Sequence, residues 1–225
     1  MVLSSIRRVQ AVVIKDLHSE IRTRYGITAL LLFVVTTVAL VVFSAADEPM
    51  APPIVSAIIW VLMCFTAMTG LGRGFVSEEE RGTSLFLRLN STPLAVYAGK
   101  LVINMIMAVV TNLLGVSLLF WFVTSATVGS WVLLLVTVVV GSIGLAIVLT
   151  IISALVAKTG SRSPLLPVLS FPVLVPLLML GTKATLFALA GMDISEMQGN
   201  VQLILTYSGL VLVASVLLFD IIWSD

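Results

Sequence analysis

The sequence predicts an all-α polytopic membrane protein with six transmembrane helices. Hydrophobic residues make up 60% of the 225 residues and charged residues only 10%, against about 45–50% and about 25% in a typical soluble domain. The apolar residues form unbroken blocks, several of them long enough to cross a hydrocarbon layer of roughly 30 Å as a helix. A transmembrane β-barrel would show alternating segments instead, which these blocks do not.

Six blocks satisfy this length requirement, and only the last contains a charge, Asp220, close to its end. Together they define a transmembrane domain over residues 27–223. The predicted spans are residues 27–46, 54–72, 101–123, 131–157, 164–181 and 201–223.

The positions of the lysine and arginine residues predict the orientation. All twelve except Lys183 lie before the first span, between the second and third, or between the fourth and fifth. Because cytoplasmic loops carry the excess of positive charge, both termini are predicted to be cytoplasmic. Residues 182–200 are then external, and their early apolar part predicts a short re-entrant or interfacial element. A simple surface loop is the alternative.

The segment before the first span, residues 1–26, has the pattern of an amphipathic helix. Apolar residues recur at intervals of three and four, and basic residues lie on the opposite face. We expect this helix to lie on the cytoplasmic leaflet with its basic side chains toward lipid headgroups, although a simple topology anchor is equally compatible. His18 belongs to it and is expected to be solvated. The apolar positions are Ile6, Val9, Val13 and Leu17, and the basic ones are Arg7, Arg8, Lys15 and Arg22.

The cytoplasmic loop over residues 73–100 has internal structure. A run of charged residues, Glu78, Glu79, Glu80 and Arg81, ends at Gly82, which permits a sharp turn or a helix stop. Thr83 or Ser84 can then cap a short amphipathic helix, and Thr92 with Pro93 suits the start of the next long helix. Such a helix is suited to docking in a groove on a soluble partner, whereas a solvated charged connection is the alternative. The apolar contacts of the short helix would come from Leu85, Phe86 and Leu89.

The fifth span is rich in proline. Pro167, Pro172 and Pro176 each lack a backbone donor and are predicted to bend the helix. They are candidate hinge residues, and close packing within the bundle is the alternative explanation.

Several classes of chemistry are excluded by the composition. No P-loop sequence occurs, so ATP is not expected to bind this chain directly. A net charge of +1 gives no broad basic surface for nucleic acid. With one histidine and one cysteine, a metal centre and a nucleophile with its base are both disfavoured. The first five spans contain no charged residue, which argues against an ion-driven carrier. We therefore expect a non-catalytic protein.

The run EEERGTSLFLRLNSTPLAVYAGK resembles the E-x-x-x-G-[ST]-L-x-x-L-x-x-[ST]-P pattern of type-2 ABC exporter permeases. Three further pieces are similar to the haem-exporter B subunit, the CcmB family, of the cytochrome c maturation ABC transporter. They are IIWVLMCFTAMTGLGRGF at 58–75, the GK pair at 99–100, and SRSPLLPVLSFPVLVPLLMLG at 161–181. Their order and spacing cover nearly the whole chain.

This resemblance implies a permease subunit of the cytoplasmic (inner) membrane that pairs with a second copy of itself. ATP would be hydrolysed by a separate ABC ATPase subunit, and haem would be held by a haem-handling membrane subunit and a haem chaperone. ATP hydrolysis would release the loaded chaperone. Two alternatives are a generic type-2 permease for a lipid, glycan or drug, and a membrane scaffold without transport. The resemblance implies an ATPase contact through Glu78, Glu79, Glu80, Arg81, Gly82, Thr83, Leu85, Phe86 and Leu89.

Overall fold

The computed structural model describes residues 9–18, 25–45, 50–71, 75–76, 78, 82, 92–123, 126–158, 165–192 and 194–224. These residues form helices and their connections, with no strand among them, so the all-α prediction is confirmed over this part of the chain. The helices are α1 (residues 9–18), α2 (Tyr25–Ala45), α3 (Pro52–Leu71), α4 (Pro93–Phe122), α5 (Trp131–Lys158), α6 (Leu165–Ala190) and α7 (Ile194–Ser224).

Five of these helices are long and apolar enough to cross a membrane: α3, α4, α5, α6 and the Gln198–Trp223 part of α7. The first predicted span corresponds to α2, and among its described side chains Leu31–Ser44 form a continuous apolar stretch. The chain is thus a multi-pass membrane protein, and the count of six spans stays a prediction.

Helix α5 lies at the centre of the bundle. It packs against α3, α4, α6 and α7, whereas α2 packs only against α3 and α4 among the larger contacts. The outward faces of the surrounding helices carry large apolar side chains, for example Phe43, Val110 and Leu217, all more than 45% exposed. Exposed apolar surface of this extent is what contact with lipid requires.

The connections that the charge pattern assigns to one side of the membrane lie together at one end of the bundle, and those assigned to the other side lie at the opposite end. At one end the loop before α5 meets the end of α6, where Gly129 N donates to Leu189 O at 3.0 Å and Ser130 N to Ala188 O at 3.0 Å. At the other end α1 contacts the segment after α3 and the start of α4. The predicted external and cytoplasmic groups therefore lie at separate ends.

Three helix boundaries differ from the predicted spans by seven residues or more. The predicted third span begins at residue 101, whereas its helix, α4, begins at Pro93. The Thr92–Pro93 pair predicted this helix start, although the Thr92 side chain makes no cap hydrogen bond. Helix α6 continues nine residues past the predicted end at Gly181, because nothing in 182–190 interrupts it before Gly191, which has a positive φ of 68°. Helix α7 begins at Ile194 rather than at residue 201, so residues 182–190 and 194–200 are both helical. A re-entrant position for this segment stays a prediction.

Candidate functional site

A cluster of four charged side chains joins three separate parts of the chain. Lys100, near the start of α4, places its Nζ 3.1 Å from Asp16 Oδ2 of α1 and 3.4 Å from Glu78 Oε1 of the segment after α3. Lys15 of α1 pairs with the same Glu78 carboxylate and lies 3.3 Å from Asp16 Oδ1. Among the residues that the structure describes, two positive and two negative charges therefore meet in one contact network.

Burial makes this pairing necessary. Lys100 is only 2% exposed, and a buried ammonium is strongly destabilising unless it is paired and hydrogen-bonded. The ring of Phe75 lies beneath its Nζ, 5.1 Å from the ring centre, which adds a cation–π contact. The Asp16 and Glu78 side chains are only 16% and 11% exposed, so water screens these ion pairs little.

Close approach of two helices places the charges within reach of one another. A Cβ at Gly99 would lie 2.8 Å from Cβ of Val12, closer than such atoms come in real structures. Glycine at position 99 therefore allows α1 to lie directly on the first turns of α4, and Val12 becomes buried there. Lys100 follows next in the chain and reaches Asp16, one helical turn after Val12.

Lys15 is held in its charged form by these neighbours. Burial acts to lower the pKa of the Lys15 ammonium, but the hydrogen bond to Glu78 and the charges of Asp16 and Glu78 outweigh it. The net effect raises the pKa above its ordinary value of 10.5. Lys15 therefore stays charged throughout the physiological range.

Aromatic rings extend the site toward the end of α7. Phe219 packs against Tyr97 with ring centres 4.9 Å apart and against Phe75 at 5.4 Å. Trp223 stacks on Phe219 at 5.3 Å. An apolar cavity of about 270 Å³ lies beside these rings, between the start of α4 and the end of α7, with Asp220 in its lining. The end of α7 is thereby connected to the ring that lies against Lys100.

A second close contact ties α3 to α5 and α6 in the interior. The indole of Trp60 is 2% exposed, and its Nε1 donates to Thr185 Oγ1 at 2.8 Å. Its ring occupies the space that a side chain would need at Gly141 and at Gly181. A Cβ at Gly141 would lie 2.5 Å from Cη2 of this ring, and one at Gly181 would overlap it outright. Three helices thus meet around one aromatic side chain.

Comparison with known families identifies the chain. The sequence model of the family described as CcmB protein matches residues 7–221, nearly the whole chain. The chain belongs to the CcmB family. A search of curated proteins finds no match. CcmB proteins are permease-type membrane components of the haem-export ABC system, which also contains an ATPase and other Ccm proteins, and they function in cytochrome c biogenesis.

The segments that carry the CcmB resemblance contact one another in the structure. Trp60, from the 58–75 segment, lies against Gly181, the last residue of the 161–181 segment. Phe75, the last residue of the first segment, lies against Lys100 of the GK pair. In this CcmB chain these four residues of the resemblance are therefore packing and charge-pairing positions.

Of the predicted ATPase-contact residues of this CcmB chain, the structure describes two. Gly82 is exposed in a turn with φ +67°, which confirms the expected sharp turn, since this backbone region favours glycine. Glu78 is 9% exposed and pairs with Lys15 and Lys100 of the same chain. Outside the described residues lie Glu79, Glu80, Arg81, Thr83, Leu85, Phe86 and Leu89.

The three proline candidates have different surroundings. Pro167 lies in the first turn of α6, where an amide has no intrahelical acceptor, so it removes no hydrogen bond. Pro172 and Pro176 are in the helix interior and each leaves a preceding carbonyl without its donor. Beside them the Tyr207 hydroxyl of α7 donates to Val173 O at 2.5 Å. The bend prediction therefore applies to the two interior prolines, and not to Pro167.

Polar residues within the spans of this CcmB chain pair between helices. Asn104 Nδ2 donates to Thr150 Oγ1 at 2.8 Å, and Asn112 Nδ2 to Ser142 Oγ at 3.0 Å, both joining α4 to α5. Thr111 donates to its own helix at Met107 O. The two asparagine contacts are helix-packing hydrogen bonds.

Sequence reasoning missed Asp16 and Lys100 as site residues and assigned Lys15 to lipid headgroups. Two signals were present: an acidic residue within a basic amphipathic segment, and a Gly-Lys pair at the start of a transmembrane helix. The helical periodicity of residues 9–18 was predicted correctly. The buried residue of this helix, however, is Val12, which does not belong to the predicted apolar stripe.

Proposed function

We propose that this chain is the permease subunit through which a separate ABC ATPase drives haem delivery in cytochrome c maturation. The observation that carries the proposal is the family match over residues 7–221. The buried charge network adds support, because it connects the segment after α3 to two helices of the bundle. A displacement of that segment would be transmitted to α1 and α4.

In this proposal two copies of the chain pair in the membrane, and each places a short helix near residues 83–90 in one ATPase subunit. Gly82 supports this arrangement, because its left-handed turn permits a change of chain direction just before that helix. Closure of the ATPase pair on ATP would bring the two short helices together and rock the bundles. The residues proposed to contact the ATPase are Glu79, Glu80, Arg81, Thr83, Leu85, Phe86 and Leu89.

The proposed location is the inner membrane with both termini in the cytoplasm. The charge distribution of the loops favours this orientation. The meeting of α1 with the start of α4 at one end, and of the loop at 129–130 with the end of α6 at the other, is what this orientation requires.

Haem is proposed to be held by a partner subunit, not by this chain. The one histidine, His18, lies on α1, where its Nδ1 is 3.0 Å from Ile14 O, and Cys64 is buried within α3. Within the described residues no group of three metal-ligating side chains occurs. We propose that ATP hydrolysis in the partner releases the haem-loaded chaperone from the complex, with this chain transmitting the movement.

Two glycines with the same backbone strain provide a matched test. Gly82→Ala places a side chain at φ +67°, and Gly191→Ala does so at φ +68° at the opposite end of the bundle. Each change costs roughly 1–2 kcal/mol in its turn. In a strain lacking the native gene, we expect Gly82→Ala to lower holocytochrome c about tenfold and Gly191→Ala to leave it unchanged, at equal membrane levels. Normal holocytochrome c in both variants would contradict the proposal, as would normal holocytochrome c in the strain from which the gene is deleted.

A further inference from the structure

We infer that α1 and the segment around Glu78 form one unit, clamped on the start of α4 by the ion pairs of Lys100, and that this unit sets the position of the proposed ATPase-contact helix. Glu78 is then an internal anchor, and not a contact to the ATPase. The positioning role rests on the proposed function, whereas the clamping by Lys100 does not.

The geometry places Lys100 at the centre of this unit. Its Nζ lies between the carboxylates of Asp16 and Glu78, at 3.1 and 3.4 Å, and these belong to two segments far apart in the chain. The lysine is almost fully buried, so it cannot be exchanged for water without a large cost. Each carboxylate therefore holds its own segment to α4.

Charge balance makes α1 and the Glu78 segment depend on each other. Asp16 and Glu78 lie on the same ammonium, and without it the two like charges would face one another beside the ammonium of Lys15. Lys15 is 44% exposed and compensates one carboxylate, not two. Removing Lys100 should thus release α1, and neutralising Asp16 in that background should restore the balance.

The location of Glu78 connects this unit to the proposed coupling helix. Glu78 lies four residues before the turn at Gly82, so fixing its carboxylate fixes where the following segment begins. The ring of Phe75, three residues earlier, is buried against Lys100 and Phe219. The segment after α3 is consequently held at two points, by the ring of Phe75 and by the carboxylate of Glu78, and α1 contacts the carboxylate.

The docking of α1 can be measured without any partner by the reactivity of a thiol at position 12. Val12 is 4% exposed against Gly99, so in a Cys64→Ala background Val12→Cys should react slowly with a maleimide in the purified full-length chain. Breaking a buried ion pair should accelerate that reaction by about tenfold or more in Lys100→Met. Adding Asp16→Asn should return the rate to within about twofold of the parent. The exposed Lys183→Met at the other end is the matched control and should have no effect.

An unchanged rate in Lys100→Met, or an accelerated rate that Asp16→Asn does not reverse, would overturn the inference. If Lys100→Met fails to insert into the membrane, the single variants Glu78→Gln and Asp16→Asn replace it. Each is expected to accelerate the reaction, and rates equal to that of the parent chain would also overturn the inference.

The positioning role is measured in the assembled complex with its ATPase. Holocytochrome c formed per ATP hydrolysed should fall about tenfold in Lys100→Met and recover in Lys100→Met/Asp16→Asn, compared at equal amounts of assembled complex. Accelerated labelling with an unchanged ratio would overturn the positioning role and leave the proposed function intact. If the parent chain binds no ATPase, the proposed function fails, while the labelling experiment still decides whether Lys100 clamps α1.

Discussion

The indole ring of Trp60 lies against the backbone of Gly181, in the space that any larger residue would need. This contact joins α3 to α6 and is reinforced by two hydrogen bonds, from Trp60 Nε1 to Thr185 Oγ1 at 2.8 Å and from Ser56 Oγ to Thr182 O at 2.6 Å. Because a ring packed on three helices cannot move aside, the relative position of α3 and α6 depends on glycine at this point.

Gly181→Ala is therefore expected to destabilise the protein. Its Cβ would overlap the Trp60 ring, and overpacking of this kind costs about 1–3 kcal/mol. Gly209→Ala is the control, since a Cβ there meets no atom within 4 Å. Thermal unfolding of the detergent-solubilised variants measures the difference. Equal stability of the two variants would show that the Trp60 contact is not as close as the structure describes.

The pairs between α4 and α5 are expected to act in packing, not in forming a path. In a double-mutant cycle of Asn104→Leu and Thr150→Val, the coupling should be about 0.6 kcal/mol, with about 1.7 kcal/mol as an upper bound for such bonds in membranes. Holocytochrome c should track the amount of folded protein in all three variants. A loss of function at unchanged stability would instead indicate that Asn104 contacts a moving substrate.

Pro176→Ala is expected to stabilise α6 and to slow the cycle if the interior prolines form a hinge. The new amide can donate to the carbonyl of Pro172, which has no donor in the native helix. Pro167→Ala is the control, because its position in the first turn offers no acceptor to regain. The measurements are the unfolding temperature and the ATPase-coupled holocytochrome yield. If Pro176→Ala and Pro167→Ala give the same unfolding temperature and the same holocytochrome yield, the hinge prediction is wrong.

Docking of α1 is expected to be insensitive to pH between about 7 and 10. The pKa of Lys15 is raised in the folded protein, so its contribution is fully present below the ordinary value of 10.5 and is lost as pH rises through the raised value. The charged groups around Lys15 are Asp16, Glu78 and Lys100. The mobility of a spin label at the exposed position Ala11 of α1 should stay constant up to that limit. Release of the label below about pH 9 would contradict an ionised Lys15.

Local patterns predicted the parts of this fold that depend on local physics. Apolar length predicted the long helices, the Thr92–Pro93 pair predicted the start of α4, and Gly82 predicted a turn. The bond between Lys100 and Asp16 joins residues 84 apart, and no local pattern records such a partner. Periodicity assigned Lys15 to the polar face of α1 correctly, but it could not tell a lipid headgroup from the carboxylate of Glu78.

The extent of α6 was mispredicted for a related reason. Hydropathy placed the end of the fifth span at Gly181, since Thr182 and Lys183 follow. In the structure Thr182 donates to its own helix at Leu178 O and Lys183 is exposed, so the helix continues through both. A hydropathy boundary marks where the chain becomes polar, and that point need not be where the helix ends.

The side of the membrane on which the segment after α3 lies tests the central claim most directly. In a Cys64→Ala background, a membrane-impermeant maleimide should label Thr127→Cys, in the exposed loop before α5, in intact right-side-out vesicles. It should label Ser84→Cys only after the membrane is permeabilised. Labelling of Ser84→Cys from outside intact vesicles would contradict the account, because a cytoplasmic ATPase could not then contact that segment.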